Sequence, residues 1–270
     1  MLRQRLITAT LLFLLVLGLI FWASFWIFLV FLLLLALLAG REWGQLSLMA
    51  RPGWLAVALA VLVPVAALSG LVSWPTLAAG SVIWWLSLMI LLATLSPTPL
   101  REASAWQHVV SALCVFPTLL PALLLSLHLQ QCAPWLLLWV ILVVSAGDVG
   151  AMTFGKIWGR RRLVPRISPG KTWEGLLGGL LASAIMGTLG GWVWMGATVS
   201  ILCLGAVLGL ITGAFAVSGD LSESFLKRRA DCKESGQLLP GHGGLLDRLD
   251  SMSAGIPVFV AGLYYLGWWK

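Results

Sequence analysis

The chain has 270 residues, of which 60% are apolar and only 10% charged, with 17 Lys/Arg against 10 Asp/Glu. Soluble domains carry roughly 25% charged residues, and a water-soluble fold of this length would have too little polar side chain to cover its surface. Composition therefore excludes soluble, disordered and disulfide-stapled classes and predicts an all-α polytopic membrane protein, one membrane domain over 1–270.

A bilayer-spanning helix needs about 20 apolar residues. Residues 6–39 carry no charge, and as one helix they would run about 51 Å at 1.5 Å per residue, too long for a ~30 Å hydrocarbon core. They read as two helices broken near Ala23–Ser24; a signal peptide or one long helix is the competing reading. Further spans are expected at 54–72, 77–95, 108–128, 135–154, 174–195, 198–219 and 252–269, which makes about nine. With the N-terminus inside, the inner loops are 40–53, 96–107, 155–173 and 220–251. Together with the N-terminus they hold every Lys and Arg except Lys270, a strong positive-inside signal. Two of the helices carry small residues at every fourth position: Gly175, Gly179, Ser183, Gly187 and Gly191 in one, Gly205, Gly209 and Gly213 in the next. Such stripes let helix backbones approach closely in lipid.

The charges are segregated. Eight of the 27 fall in 148–174 and eleven in 220–250. Asp148 lies inside an apolar span, about 20 Å along the helix from Trp135. An ionisable group at that depth is costly and marks a functional site, unless it is simply paired with a neighbouring Arg. Residues 168–175, Ser-Pro-Gly-Lys-Thr-Trp-Glu-Gly, read as a Pro-Gly turn into a helix. The free N–H groups of that helix and Lys171 suit an anion. This is no Walker A loop, which would need glycine where Pro165 stands. Arg160, Arg161, Arg162 and Arg166 read as interface snorkellers and orientation signals, or as ligands.

Asp220, Glu223, Ser224 and Lys227 share one face if the span continues as a helix. They suit a metal and a phosphate chain, or simply a solvated face. A glycine-rich turn around His242 then precedes a helix carrying Asp247, Asp250 and Ser251 at i, i+3 and i+4. Carboxylate oxygens are what Mg²⁺ takes, one or two per ion, with substrate phosphates completing its shell. His242 could equally contact turn backbone, and Asp250 could pair with Arg248 or cap the helix. The cysteines Cys114, Cys132, Cys203 and Cys232 are scattered and form no zinc-type set with the three histidines.

Several segments together resemble the signature of the phosphatidate cytidylyltransferases, bacterial type. They are Ser224-Phe225-Leu226-Lys227-Arg228, Lys233-Glu234-Ser235-Gly236, and Pro240-Gly241-His242-Gly243-Gly244 with Asp247-Arg248-Leu249-Asp250-Ser251. The resemblance extends to Gly147-Asp148-Val149-Gly150-Ala151, to Ser168–Gly175 and to Glu42-Trp43-Gly44-Gln45-Leu46. It implies transfer of CMP from CTP to phosphatidic acid, giving CDP-diacylglycerol and pyrophosphate, with the catalytic half at about 135–260 and N-terminal helices over 6–128. It further implies a divalent metal, Mg²⁺, with a monovalent cation such as K⁺ nearby, and a homodimer in a bacterial inner membrane with the site facing the cytoplasm.

By the same resemblance Asp148, Lys171, Asp220, Lys227 and Asp247 are the catalytic group. Asp220, Asp247 and Asp250 hold metal, while Ser224, Arg228, His242 and Arg248 contact substrate phosphates. Two positions depart from the family pattern: Glu234 stands where Asp is usual, and Met152 where Tyr is common. The competing functions are a cation-coupled transporter, which intramembrane acids also suit, and a CTP-dependent isoprenoid-alcohol kinase. The Asp-Gly-x-x-Ala-Arg motif of alcohol phosphatidyltransferases is absent. The pI of 9.8 suits anionic lipid headgroups and is no sign of nucleic-acid binding, because the basic residues are juxtamembrane.

Overall fold

The computed structural model describes residues 13–94, 96–236, 238 and 243–269. Among these residues ten α-helices and one short hairpin follow in chain order: α1 (Phe13–Trp22), α2 (Phe25–Leu46), α3 (Gly53–Ser69), α4 (Trp74–Thr94), α5 (Ala105–Leu113), α6 (Val115–Cys132), α7 (Pro134–Trp158), β1 (Arg162–Val164), β2 (Ser168–Thr172), α8 (Trp173–Met195), α9 (Val199–Arg229) and α10 (Leu246–Tyr265). Among the described residues six stretches are long and apolar enough to cross a bilayer: α2, α4, α5 with α6 as one run over Ala105–Cys132, α7, α8 and α9. The first expected break holds. Ser24 caps α2, its Oγ accepting from the Ile27 N–H at 3.4 Å. The expected span 54–72 is a 17-residue helix, and α10 opens with charged turns ahead of its apolar part.

Lipid-facing and core faces separate by side-chain size. α8 turns Leu177, Leu181 and Ile185 outward and buries Gly175, Gly179, Ser183, Gly187 and Gly191. That glycine face lies between α7 and α9. A Cβ at Gly179 would stand 2.8 Å from the Gly147 carbonyl of α7, and one at Gly209 of α9 would stand 2.9 Å from the Gly187 Cα. The small-residue stripe thus does what close helix packing in lipid demands. At the far end Trp139 fills the core against Phe259 and donates its indole N–H to the Met186 carbonyl at 3.2 Å. The apolar part of α10 runs through the centre, with Ile256, Val258, Phe259, Val260 and Leu263 buried.

Two features depart from the sequence reading. Ser168–Thr172 is not a Pro-Gly turn but strand β2, paired antiparallel with β1 between Arg162 and Thr172 and between Val164 and Ser168. The chain reverses at Pro165–Ile167 instead, where the Ile167 N–H bonds the Val164 carbonyl at 3.1 Å. The hairpin places Thr172 as the N-cap of α8, its Oγ1 accepting from the Gly175 N–H at 3.1 Å. α9 is the second departure. Its 31 residues extend about 46 Å, beyond a ~30 Å hydrocarbon core. Its charged end is therefore continuous helix rather than loop.

Candidate active site

Four element ends meet at one end of the bundle: the last third of α7, the hairpin with the start of α8, the end of α9 and the first turns of α10. Between them lies a cavity of about 450 Å³, walled by Asp148, Lys171, Asp220, Asp247, Asp250 and Arg248, with Lys156 and Ser251. All four aspartates singled out from the sequence therefore face one space, from three helices.

The electrostatics are those of paired opposites. Lys171, carried by β2, holds Asp220 of α9 at 2.7 Å. Lys227 stands behind Asp247, its Nζ 2.6 Å from Asp247 Oδ1 and 3.5 Å from Glu223 Oε1. Asp247 Oδ2 accepts from the Gly244 N–H at 2.8 Å and the Ser235 N–H at 3.2 Å. Gly243 has φ +80°, and a Cβ there would sit 2.6 Å from Asp247 Oδ2, so glycine is required beside that carboxylate. Asp247 lies in the polar first turn of α10. Burial works against its charge, yet the Lys227 ammonium and the two N–H donors outweigh it and hold the carboxyl below the usual aspartate range. Deeper in, Ser251 donates its hydroxyl to Asp148 Oδ1 at 3.3 Å, and Asp250 Oδ1 accepts from the Ser251 N–H at 2.7 Å.

The remaining sequence candidates fall elsewhere. Ser224 donates to Asp220 Oδ1 at 3.3 Å and is not on the cavity wall. Arg228 gives its Nε–H to the Ile167 carbonyl at 3.2 Å and so ties α9 to the hairpin. Arg166 is directed at Ser96 Oγ, 2.8 Å away. The Arg160 and Arg161 N–H groups are gathered by the Glu174 carboxylate at 3.0–3.3 Å. His242 lies outside the described residues.

Two residues carry more than the sequence reading gave them. Glu223 is 2% exposed, packed against Asp250 and Lys227, and its only sequence signal was its place on the Asp220 face. Glu42, 6% exposed, reaches from α2 to the chain just ahead of α10. In the sequence it stood within the family-like segment Glu42–Leu46, with no role attached to it.

Among the described residues no three His, Cys, Asp or Glu side chains converge as a ready-made cage for an ion. The cavity instead offers carboxylates in ones and twos beside lysines. That donor set fits Mg²⁺, which is commonly bound through one or two carboxylates with substrate phosphates and waters supplying the rest.

The model of the "Cytidylyltransferase family" matches residues 3–266. A phosphatidate cytidylyltransferase of Pseudomonas aeruginosa is 38% identical over 99% of both chains. Proteins of the same name from Haemophilus influenzae and Synechocystis are 36% and 49% identical, over 66% and 45% of this chain and 65% and 39% of their own. The chain belongs to the cytidylyltransferase family.

Proposed function

We propose that the chain is a phosphatidate cytidylyltransferase. It transfers CMP from CTP to phosphatidic acid and releases pyrophosphate. The observation that carries this reading is the placement of four aspartates with Lys156, Lys171 and Arg248 around one cavity at the end of a lipid-embedded bundle. A triphosphate and a phosphomonoester repel each other, and their reaction is slow until cations offset that charge. A lipid nucleophile requires the same cavity to border the hydrocarbon, and Met152 and Leu176 on its wall belong to the apolar helices α7 and α8.

A phosphate oxygen of phosphatidate attacks the α-phosphorus of CTP, the bond from that phosphorus to the bridging oxygen breaks, and pyrophosphate leaves. The attacking group is already ionised near neutral pH, so no strong general base is needed. Lys171 and Arg248, on the cavity wall, neutralise the phosphates, while Lys227 acts from behind by holding Asp247. Asp148 orients groups in the deep part of the cavity through Ser251. Asp220 and Asp247, with Asp250, would hold Mg²⁺, which supplies further neutralisation at the phosphates. A K⁺ nearby, a homodimer, nine membrane crossings including 252–269, and a bacterial inner-membrane location with the cavity towards the cytoplasm belong to the same proposal. The basic residues gathered at that end support the orientation.

Purified protein in micelles, given dioleoyl phosphatidate, Mg²⁺ and α-³²P-labelled CTP, should place label in the lipid extract. The label should depend on both phosphatidate and Mg²⁺. Asp247→Asn should lower turnover by at least ~100-fold, in line with loss of a group acting on transition-state charge, while the protein keeps its gel-filtration profile. Unlabelled lipid from folded wild-type protein would remove the proposal.

A further inference from the structure

We infer that Glu42 is the positioning residue that fixes the Asp247 segment for CMP transfer, an inference that rests on the reaction proposed above. Glu42 lies near the end of α2, in the half of the chain that contributes nothing to the cavity wall. Among the described residues its carboxylate accepts three hydrogen bonds, all from the segment that carries Asp247. Oε1 takes the Leu245 N–H at 3.0 Å, and Oε2 takes the Leu246 N–H at 2.9 Å and the Ser235 hydroxyl at 3.1 Å.

The first turn of a helix leaves N–H groups without intrahelical partners, and the residue before it usually supplies an acceptor. α10 has Leu245 in that place, with no side-chain cap. Glu42 is thus a cap delivered from another helix, with its negative charge at the positive end of the α10 dipole. The same contacts lead directly to Asp247. Ser235, whose hydroxyl is bound by Glu42, gives its N–H to Asp247 Oδ2, and so does Gly244, one residue ahead of the capped pair.

Two glycines make room for this carboxylate. A Cβ on Gly236 would lie 2.6 Å from Glu42 Oε1, and its three nearest atoms all belong to the Glu42 side chain. A Cβ on Gly244 would lie 2.6 Å from Oε2, with Ser235 Oγ closer still. Neither glycine has a positive φ. The small residue at 236 is therefore a requirement of the Glu42 side chain rather than of the backbone.

The test uses the full chain in detergent micelles. It combines CMP-transfer kinetics, hydrogen exchange of the peptide covering 243–248, and the thermal midpoint. Glu42→Gln keeps the size but turns one acceptor into a donor facing N–H groups. It should lower kcat by ~10–100-fold, the cost of a small misplacement of a reacting constellation, with KM for CTP changed by less than ~3-fold. Exchange at 243–248 should rise by ~10-fold or more while α7 and α8 keep their protection, the signature of a local opening. Glu42→Asp should recover part of kcat. Gly236→Ala should resemble Glu42→Gln in the wild-type background and add nothing in Glu42→Ala, since the atoms it would strike are then gone.

A Glu42→Gln enzyme with kcat within ~2-fold of wild type overturns the inference. So does exchange that rises evenly through the whole chain together with a lowered thermal midpoint, which marks a general structural role. Wild-type protein that transfers no CMP overturns the reaction alone. The exchange arm needs no substrate and still decides whether Glu42 holds the segment.

Discussion

Lys227 compensates two carboxylates at once, Asp247 at 2.6 Å and Glu223 at 3.5 Å, and its side chain is 12% exposed. Removing one partner from a buried ion cluster leaves uncompensated charge and costs about 3–5 kcal/mol. Lys227→Met is therefore expected to lose turnover and also to lower the thermal midpoint, which a purely substrate-binding lysine would not do. Adding Glu223→Gln in the same chain should recover part of the stability, because one of the two stranded charges disappears. Additive losses in that double variant would mean that Lys227 and Glu223 do not act as a pair. Asp247 gives the pH direction. Its folded-state carboxyl is held below the ordinary aspartate value, so it contributes stability above that value and loses it as pH falls through the lower folded one. What the sequence revealed at this scale follows from cost. A carboxylate in hydrocarbon is rare enough to be noticed singly, which is why Asp148 was legible, whereas Asp220, Asp247 and Asp250 were legible through their helical spacing and the family-like segments that hold them. Glu42 was noticed only as part of a family-like segment, and its role was not legible, since its partners lie up to 204 residues away and leave no spacing to read.

At the scale of elements, the distance between Asp148 on α7 and Asp220 on α9 is set by α8, which separates their helices by little more than backbone. The glycine and serine stripe that allows this was visible as a four-residue period. Gly179→Val should separate α7 from α8, since even its Cβ would be 2.8 Å from the Gly147 carbonyl and 3.0 Å from the Ala151 Cβ. Both turnover and thermal midpoint should fall. Leu177→Val, on the lipid-facing side of the same helix with 64% exposure, should leave both near wild type. Equal behaviour of the two variants would deny the close packing. The break at Ser24 was legible too, because helix length against bilayer thickness required it and serine is a preferred cap. The hairpin was not. Its strands are three and five residues long, and Ser-Pro-Gly carries a turn signature. Here an edge position tolerates the proline, and Glu174, from the following helix, holds the Arg160 and Arg161 backbone.

At the scale of the molecule, α9 and α10 relate the two ends of the bundle. Asp220 and Asp247 are at one end. The α8–α9 connection at Gly196–Thr198 is at the other, about 33 Å away along α9 from Asp220 at 1.5 Å per residue. The basic residues crowd the cavity end, where the chain between α9 and α10 exposes Lys233, while Ala197 is exposed in the opposite connection. If the cavity faces the cytoplasm, as proposed, these two positions report opposite compartments. In a chain whose four native cysteines are replaced by alanine, Ala197→Cys should react with a membrane-impermeant maleimide added to whole cells whose outer membrane, if present, has been opened. Lys233→Cys should react only after the inner membrane is broken. The reverse pattern would place the charged cavity outside. Cytoplasmic CTP would then have no route to Lys171 and Arg248 on the cavity wall, so this labelling bears on the reaction as much as on the orientation.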